Sequence, residues 1–531
     1  MQRPLGAQIS HMLKDRGVDV IFGIPGVHNQ EMYRGIEEAG ITHVLARHEQ
    51  GAGFMADGYA RATGKPGVAY VITGPGLTNI MTPMGQAYSD SVPMLVISSC
   101  LDETAAKYGQ LHQMKDQRAA AETVCDWSFE AGTADAAYTL IDRAFSEFRT
   151  ERQRPKHIQV PIAALEAPAA PARPRHWAPA TLPRVNTDQL HEVKTHLERA
   201  RAPMIIVGGG HKGGGSMVVE VADNTGAALF TTYAGRGLVP DDHPRLFGAM
   251  LARPDSAEIL RRADLLIIVG SEMSQGDLWR DDPGFDGTVM RIDIDAQSLT
   301  DSMGAEYIYK YDAGLFMAGL AHATRDCTPA VKWRPAEVAA TRARWREQVL
   351  AERPGIVEVA DAARAATPKD AMIYSDMTQF AYAAKEIWPM AHPHHWHHPT
   401  GFGTLGYALP AAIGGAVARP GQPTMAIIGD YGFHYTMAEL GVAVELNLPL
   451  PIILWDNGKL KEIEDSMTRA QIAPNAVVAR NPDFCKLAKA FGAHAAAPQS
   501  LNDMQNAVRT AFDANGPTLI YVTPDITSSS D

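Results

Sequence analysis

The sequence is poor in cysteine, with four among 531 residues and no CxxC pair. This scarcity excludes a disulfide-stapled scaffold and favours the reduced thiols of the cytosol. Long hydrophobic runs are also missing: stretches such as PMLVIS and LLIIVG have only the length of a strand, so no membrane span is expected. The first residues have an amphipathic pattern without an apolar leader core. Together these features predict a cytoplasmic protein.

Basic residues are not in excess either. The sequence has 48 Lys and Arg against 60 Asp and Glu, which gives a formal charge of −12. No basic stripe offsets that charge, so nucleic acid is not expected as a partner. A hydrophobic content of 46% and a charged content of 20% are those of an ordinary soluble protein. The length predicts two to four domains.

Short apolar runs rich in β-branched residues alternate with helix-like segments along the whole chain. They include VDVIFGI, VAYVITG, MLVISS, MIIVGGG, LLIIVGS, MRIDID, TMAIIGD and PIILWD. Such runs are typical of strands covered on both faces, and the helical patterns between them predict parallel βαβ crossovers. The predicted fold class is therefore α/β, with three doubly wound parallel-sheet domains.

One stretch, LEAPAAPARPRHWAPATLPRV, is rich in proline and alanine and is interpreted as a linker. A weaker break follows near 327–340. The predicted organisation is a first domain at 1–165, the linker at 166–185, a second domain at 186–330 and a third at 345–531.

Asp430 and Asn457 each follow a predicted strand, with a crossover helix expected at roughly 434–446 between them. Ligands of parallel α/β sheets bind beyond the carboxyl ends of the strands. Two oxygen-bearing side chains there suit Mg²⁺, and Gly429 and Gly432 let the backbone approach a phosphate closely. The alternative interpretation is that Asp and Asn merely cap helices.

The same stretch resembles the GDG…N signature of thiamine-diphosphate-dependent enzymes. The resemblance implies that Mg²⁺ is bound by Asp430, Asn457 and the backbone carbonyl of Lys459. Tyr431 stands where the family usually has glycine. Its backbone N–H can still face the diphosphate, together with Gly429 and Gly432.

A second stretch, VLARHEQGAGFMADGYARATGKPGVAYVITGPGLTN, is similar to the pyrimidine-binding domain of the same family. The family's glutamate falls on Glu49, which would bond to the pyrimidine ring and help to remove the C2 proton of the cofactor. Pro25, Gly74 and Asn79 are the further cofactor contacts that the resemblance implies. In isolation, Glu49 would be interpreted as an ordinary surface charge.

A third stretch, HHPTGFGTLGYALPAAIGGAVA, resembles the segment that cradles the aminopyrimidine. Gly403 would offer its carbonyl, and Leu405 would supply the apolar side chain between the two cofactor rings; taken alone, Leu405 would be interpreted as core. The preceding SDMTQFAY occupies the diphosphate-side loop, which makes Thr378 and Gln379 candidate contacts.

The resemblance covers nearly the whole chain in the order pyrimidine-binding domain, central Rossmann-like domain, diphosphate-binding domain. It implies thiamine diphosphate and Mg²⁺ as cofactors and a homo-oligomer, dimer or tetramer, with the cofactor between two subunits. GAMLARPDSAE replaces the glycine-rich segment that contacts FAD in acetolactate synthases, so no FAD is predicted.

In this family a C2 ylide attacks a 2-oxo acid, and loss of CO₂ leaves an enamine that takes either a proton or a second carbonyl compound. Val27 lies at a substrate position of related decarboxylases. His28 and His112 are candidate proton relays, because histidine titrates near neutral pH. Structurally satisfied histidines are an equal alternative for both.

Ser466 replaces a tryptophan that limits the pocket of acetolactate synthases, which suggests a longer 2-oxo acid. Ile463 lies in the same substrate-side segment. The acids Glu462, Glu464 and Asp465 could pair with a cationic substrate tail such as a guanidinium. A solvated helix face is the alternative for these acids.

The motifs together most resemble 5-guanidino-2-oxopentanoate (2-ketoarginine) decarboxylases. The expected function is therefore non-oxidative decarboxylation of a 2-oxo acid to an aldehyde and CO₂. Two alternatives stay open: a carboligase similar to acetolactate synthase, and a non-catalytic homologue that keeps the fold as a binding or structural subunit.

Overall fold

The computed structural model describes residues 2–174, 182–300 and 304–527. Residue contacts divide the chain into two compact units. The first holds the described residues within Met1–Ala180, Met372–Thr378 and His398–Ile526, and the second those within Thr181–Ala371, Gln379–His397 and Thr527–Asp531. The predicted linker lies partly outside the described residues, and the predicted domain boundaries remain predictions.

Six parallel strands form the N-terminal sheet of the first unit, in the order β3-β2-β4-β5-β7-β6. They are β2 (Val20–Gly23), β3 (Thr42–Leu45), β4 (Gly67–Val71), β5 (Met94–Cys100), β6 (Trp127–Glu130) and β7 (Lys156–Pro161). A separate antiparallel pair joins β1 (Arg3–Pro4) to β8 (Pro168–Ala169). The predicted strands VDVIFGI, VAYVITG and MLVISS are confirmed as β2, β4 and β5.

Helices pack on both faces of this sheet. They are α1 (Leu5–Asp15), α2 (Gln30–Glu38), α3 (Glu49–Thr63), α4 (Pro75–Ser89), α5 (Gln117–Glu122), α6 (Ala134–Thr150) and α7 (Ile162–Glu166). Helix α3 begins after His48, whose Nδ1 accepts the Gln50 N–H at 3.1 Å, and it ends at Gly64 with a φ of 69°. Pro75 opens α4, a position where its missing N–H is tolerated.

In the second unit, six parallel strands follow the order β11-β10-β9-β12-β13-β14, which is doubly wound about β9 and β12. They are β9 (Pro203–Val207), β10 (Ala228–Thr231), β11 (Leu246–Gly248), β12 (Leu265–Val269), β13 (Thr288–Asp293) and β14 (Tyr307–Lys310). The predicted strands MIIVGGG, LLIIVGS and MRIDID are confirmed as β9, β12 and β13.

The helices of the second unit include the one that begins at Gln379, a predicted diphosphate contact. They are α8 (Thr187–Arg199), α9 (Ser216–Thr225), α10 (Ser256–Arg261), α11 (Gln275–Leu278), α12 (Ala296–Leu299), α13 (Ala313–Ala323), α14 (Pro335–Glu352), α15 (Ile356–Ala366) and α16 (Gln379–Ile387). None of the helices in the described ranges is both long and apolar enough to cross a bilayer.

The C-terminal sheet of the first unit runs β15-β17-β18-β20-β19, again with parallel pairing. These strands are β15 (Met372–Ser375), β17 (Thr424–Gly429), β18 (Pro451–Trp455), β19 (His494–Ala496) and β20 (Thr518–Val522), while β16 (Trp396–His397) lies in the second unit. Both TMAIIGD and PIILWD are confirmed, as β17 and β18. The α/β class with three parallel sheets is therefore confirmed.

The helices of this C-terminal part begin with α17, which follows the predicted pyrimidine loop. They are α17 (Ala408–Ala418), α18 (Asp430–Thr436), α19 (Leu440–Glu445), α20 (Lys461–Arg469), α21 (Phe484–Ala490) and α22 (Leu501–Phe512), with 3₁₀ turns at Met437–Glu439 and Pro524–Thr527.

The single crossover helix expected at 434–446 is wrong in its start and its continuity. Helix α18 already begins at Asp430, because Gly429 takes the extended N-cap conformation ahead of it. Thr436 leaves the helical region with φ −137° and ψ 17°, and its hydroxyl donates to the Gly406 carbonyl at 2.8 Å. This hydrogen bond to a residue outside the helix coincides with the 3₁₀ turn that separates α18 from α19.

Helices α3 and α17 pack closely within one hydrophobic cluster of the first unit. Glycines make this approach geometrically possible. A Cβ atom on Gly58 of α3 would lie 1.9 Å from the Ala411 carbonyl oxygen, and a Cβ atom on Gly414 of α17 would lie 1.9 Å from the Met55 carbonyl oxygen. The helix backbones are therefore in direct contact at both glycines.

We predict that Gly414→Ala destabilises the protein by about 1–3 kcal/mol, because the added methyl group meets backbone. The higher helix propensity of alanine alone would stabilise the protein by about 1 kcal/mol. A net loss of stability would therefore show that the steric clash outweighs this gain. Gly441→Ala in α19 is the matched control, since a Cβ atom there would lie 3.6 Å from its nearest neighbour, an ordinary van der Waals distance. Chemical denaturation of both variants tests this, and equal stability of the two would contradict the packing.

Candidate active site

Glu49 is the first residue of α3. Its side chain is buried, with 9% of the residue exposed, and Oε2 accepts a hydrogen bond of 2.9 Å from Nδ2 of Asn79 on α4. Two residues singled out separately in the sequence are thus in contact. A buried and hydrogen-bonded carboxyl group argues against an ordinary surface charge.

Gly74 is the N-cap of α4 and has a φ of 69°, which favours glycine. A Cβ atom there would lie 2.4 Å from the carbonyl oxygen of His112, so the loop that carries His112 packs on Gly74. The Gly74 N–H donates to Oε1 of Gln117 at 2.8 Å, and Gln117 in turn donates to the Ser99 carbonyl at 2.9 Å. Gln117 was missed in the sequence, where no motif marks it.

His28 and His112 are brought together by two distant loops. Their ring centroids are 5.0 Å apart and their planes meet at 69°. The Nδ1 atoms of both rings are buried and have no hydrogen-bond partner within the described ranges. Burial lowers the pKa of His28, and the neighbouring His112 lowers this pKa further. Such rings suit proton transfer better than the alternative of fully satisfied structural histidines.

The loop after β2 also carries Pro25 and Val27. The Gly26 N–H donates to Oδ1 of Asn29 at 2.7 Å, which closes the loop into a turn. Pro25 is exposed, and Val27 has 63% of its surface exposed. An apolar side chain is therefore presented beside the histidine pair.

Asp430 and Asp456 directly follow β17 and β18. Because Gly429 pairs with Trp455 in parallel register, the residues after them reach the same edge of the sheet. Burial raises the pKa of Asp430 to about 6; a hydrogen bond from Asn481 opposes the rise, and the nearby Asp456 adds to it. Asp456 and Asn481 were both missed in the sequence, although Asp456 adjoins the metal motif.

Asn457 and Lys459 form the turn beyond β18. Oδ1 of Asn457 accepts the Lys459 N–H at 3.3 Å, across Gly458 with a φ of 69°. In the part of the chain that the structure describes, no group of three or more His, Cys, Asp or Glu is placed to hold a metal. A cation here would therefore need amide and carbonyl oxygens beside a carboxylate, a hard donor set that fits Mg²⁺.

Two glycines bring the start of α18 close to the loop after β15. A Cβ atom on Gly429 would lie 3.1 Å from the side chain of Thr378, and one on Gly432 would lie 2.9 Å from Oδ2 of Asp376. Tyr431 between them is only partly buried. A diphosphate that binds close to the backbone requires N–H groups that no side chain covers. Gly429 and Gly432 provide such backbone, so the segment fits a diphosphate.

Asp376 organises the segment that leads into α17. It is fully buried, and Oδ2 accepts the N–H groups of Gly406 at 2.8 Å and Ala408 at 3.4 Å. Burial raises the pKa of Asp376 to about 7, although these N–H groups oppose the rise. Gly403, with a φ of 67°, turns the chain before Leu405, which is partly exposed. That exposure argues against a plain core role for Leu405.

Helix α20 carries the acidic residues that follow the turn of Asn457 and Lys459, and none of its residues is buried. Glu464 accepts from Nζ of Lys459 at 3.0 Å, and Asp465 pairs with Lys461. Both acids therefore already have cationic partners, as expected for a solvated helix face. The ion pair of Glu462 is longer, at 4.0 Å from the arginine that ends the helix.

Glu439 reaches the turn that precedes Glu49. Its Oε1 and Oε2 atoms each lie 3.1 Å from the Arg47 nitrogen, and Oε1 also accepts the His48 N–H at 3.0 Å. A Cβ atom on Gly51 would lie 2.1 Å from Oε1. Burial raises the pKa of Glu439 to about 7, opposed by these N–H groups. Glu439 thus clamps the backbone that carries Glu49, a role for which the sequence gives no signal.

Three domain signatures match the chain: the N-terminal TPP binding domain of thiamine pyrophosphate enzymes at residues 3–120, their central domain at 190–320 and their C-terminal TPP binding domain at 376–522. The chain belongs to the thiamine pyrophosphate enzymes. The predicted resemblance is confirmed. Within this thiamine pyrophosphate enzyme, Glu49 lies in the first matched region and Asp430 in the last.

Relatives extend over almost the full chain. A probable 2-ketoarginine decarboxylase of Pseudomonas aeruginosa is 41% identical over 97% of this chain and 93% of its own length. The large subunit of acetolactate synthase isozyme 2 of Escherichia coli is 28% identical over 98% and 95%. The mitochondrial acetolactate synthase catalytic subunit of Saccharomyces cerevisiae is 26% identical over 98% and 80%.

We predict that Glu439→Gln gains thermal stability relative to the wild type as the pH rises. The pKa of Glu439 is about 7 in the folded protein, above its ordinary value of 4.5. Between pH 4.5 and pH 7 the carboxyl group therefore ionises in the unfolded chain but not in the folded one. This difference lowers the free energy of unfolding of the wild type as the pH rises. Glutamine does not ionise. The difference in melting temperature, variant minus wild type, should be more positive at pH 8 than at pH 5.

The exposed Glu37→Gln variant is the control for this measurement and should show the same difference at both pH values. A pH-independent difference for Glu439→Gln would mean that the buried carboxyl group is not the source of the effect.

Proposed function

We propose that this thiamine pyrophosphate enzyme catalyses the non-oxidative decarboxylation of a 2-oxo acid to an aldehyde and CO₂. The observation that carries this proposal is the 41% identity to the probable 2-ketoarginine decarboxylase over 97% of the chain. Identity to the acetolactate synthases named above is lower, at 26% and 28%. The proposed substrate is accordingly 5-guanidino-2-oxopentanoate.

The metal loop would hold Mg²⁺ through Asp430, Asn457 and the carbonyl of Lys459. Support comes from the register of β17 and β18, which gives the loop its oxygen donors at one sheet edge. The diphosphate would lie against backbone at Gly429, Tyr431 and Gly432, with Thr378 and Gln379 as further contacts.

The pyrimidine end would be held by Glu49, with Pro25, Gly74, Asn79, Gly403 and Leu405 as the other contacts. When bound, thiamine diphosphate would supply a nucleophilic carbanion and an electron sink for the electron pair that remains when the bond to the departing CO₂ breaks. Glu49 would exchange a proton with the pyrimidine ring, and Asn79, 2.9 Å away, would orient its carboxyl group.

Protons at the reacting carbon would be handled by His28 and His112. Their contact at 5.0 Å and their unpartnered, buried Nδ1 atoms support this assignment. A lowered pKa keeps His28 neutral at pH 7, so it can accept a proton or pass one on without holding a permanent charge.

Substrate selection would fall to Val27 and to α20. Ile463 is 50% exposed and Ser466 is exposed, so α20 presents a small side chain and an apolar one. Glu462 would face the guanidinium tail, because a carboxylate and a guanidinium form charge-assisted hydrogen bonds.

The enzyme would act as a homo-oligomer, dimer or tetramer, with each site shared between two subunits. Exposed apolar side chains on the site loops and on α18 of a single chain support this arrangement, since a second chain would cover them. They include Val27 (63% exposed), Tyr108 (85%), Leu111 (64%), Phe402 (50%), Tyr435 (59%) and Val478 (69%). A cytoplasmic location and the lack of FAD remain predictions.

An acetolactate-synthase-like carboligase is the second candidate, supported by 28% identity over 98% of the chain. Membership among the thiamine pyrophosphate enzymes and the identity to a probable decarboxylase count against the third candidate, a non-catalytic homologue.

The test is CO₂ release from pyruvate, 4-methyl-2-oxopentanoate, phenylpyruvate and 5-guanidino-2-oxopentanoate, with thiamine diphosphate and Mg²⁺ present. We expect the guanidino acid to be preferred and 4-guanidinobutanal to form in equal amount to CO₂. Glu49→Gln should lose roughly 10²–10⁴-fold in turnover while it retains cofactor binding, because only proton transfer is removed.

Glu37→Gln serves as the control and should keep full turnover. Acetolactate formed from pyruvate, without turnover of the guanidino acid, would instead establish the carboligase. Wild-type turnover by Glu49→Gln would remove that residue from the chemistry.

A further inference from the structure

Asn481 joins the side chains of Asp430 and Asp456, the two acidic residues that directly follow β17 and β18. It lies in the loop between α20 and α21, and its Nδ2 atom donates to Oδ2 of Asp430 and to Oδ1 of Asp456, both at 2.8 Å. Its Oδ1 atom pairs with Nε2 of His434 at 3.1 Å. Both N–H bonds and the carbonyl of one amide are therefore engaged.

Asp456 is itself held firmly. Its Oδ1 atom accepts the Gly458 N–H at 2.8 Å, and its Oδ2 atom accepts the Tyr521 hydroxyl at 2.9 Å. The residue is 8% exposed. The side chain of Asp456 is therefore held in one position. Because Asn481 donates to both carboxyl groups, it fixes Asp430 relative to Asp456.

The histidine comes from the same helix as Asp430. His434 lies one turn after Asp430 on α18, so the two residues face the same side. The His434 ring also packs against Phe484 of α21, with centroids 5.3 Å apart. Asn481 therefore locks α18 at two points, and neither point depends on a bound cation.

Electrostatics explains why such a donor is needed. Asp430 and Asp456 are both buried and lie close together, and like charges repel strongly in a medium of low dielectric constant. Among the described residues, neither forms a salt bridge with a lysine, arginine or histidine. A shared neutral donor keeps the carboxylates in place before a cation arrives.

We propose that Asn481 is a positioning residue of the metal site, which fixes the orientation of Asp430 relative to Asp456 without ligating the metal. The inference rests on the proposed function, because it needs Mg²⁺ to bind beside Asp430. It assigns a role to an amide 51 residues away from that aspartate. Partners of metal ligands often contribute in this way to affinity.

The test is a Mg²⁺ titration at saturating thiamine diphosphate, followed by isothermal titration calorimetry and independent of turnover. Asn481→Ala should raise the Kd for Mg²⁺ about 10–100-fold, because Asp430 loses its orientation. Asn475→Ala, an exposed asparagine of the same loop, is the matched control and should bind Mg²⁺ like the wild type.

A second variant separates positioning from folding. In the Asn481→Ala background, Asp456→Asn removes one charge and supplies a new amide donor next to Asp430. The double variant should regain part of the lost Mg²⁺ affinity, which a merely structural defect would not allow. If Asn481→Ala binds Mg²⁺ as tightly as Asn475→Ala, or if the double variant regains nothing, the positioning role is wrong.

The same titration distinguishes this inference from the proposed function. A wild-type protein that binds neither thiamine diphosphate nor Mg²⁺ would overturn the proposed function itself. Tight binding by the wild type with unchanged binding by Asn481→Ala would overturn only the role of Asn481.

Discussion

The parallel register of β17 and β18 is the constraint on which the candidate metal site at Asp430 and Asn457 depends. Gly429 lies opposite Trp455, so the next residues, Asp430 and Asp456, emerge side by side. Both strands are buried along their whole length, and their apolar side chains would be misplaced by a slip of one residue. The energy that fixes the core therefore also fixes the position of the acidic groups.

Buried carboxyl groups act as backbone clamps elsewhere in the first unit. Asp376 holds the N–H groups that lead into α17, and Glu439 holds those that precede Glu49. Each clamp replaces lost hydration with N–H donors, although burial still raises both pKa values to about 7. The candidate catalytic carboxyl group of Glu49 thus directly follows a turn that a second carboxyl group, that of Glu439, holds in place.

Much of the architecture could be predicted from the sequence, because buried parallel strands leave continuous apolar runs. All eight predicted runs are strands. Strands that are short or that mix polar with apolar residues, such as β3 and β19, were not predicted. Helix limits were less predictable. The start of α18 depends on the N-cap conformation of Gly429, and its end on a hydroxyl bond from Thr436 to a distant loop.

The residues of the candidate site likewise fall into those that the sequence could predict and those that it could not. Glu49, Asp430 and Asn457 stand in motifs with local sequence context, so the sequence could reveal them. Asn481 and Glu439 take their roles from contacts 51 and 391 residues away, which no local pattern encodes. The Lys459 partner of Glu464 was equally invisible, because this ion pair depends on how the turn before α20 folds back.

In the proposed homo-oligomer, the cofactor would be held between Glu49 of one subunit and the turns of Asp430 and Asn457 of another, and mixing inactive variants tests this arrangement most directly. Glu49→Gln and Asp430→Asn chains would each be inactive alone. After dissociation and reassociation in equal amounts, each hybrid dimer should contain one intact site, and roughly a quarter of wild-type turnover should return. Absence of any recovery in verified hybrids would contradict the shared site.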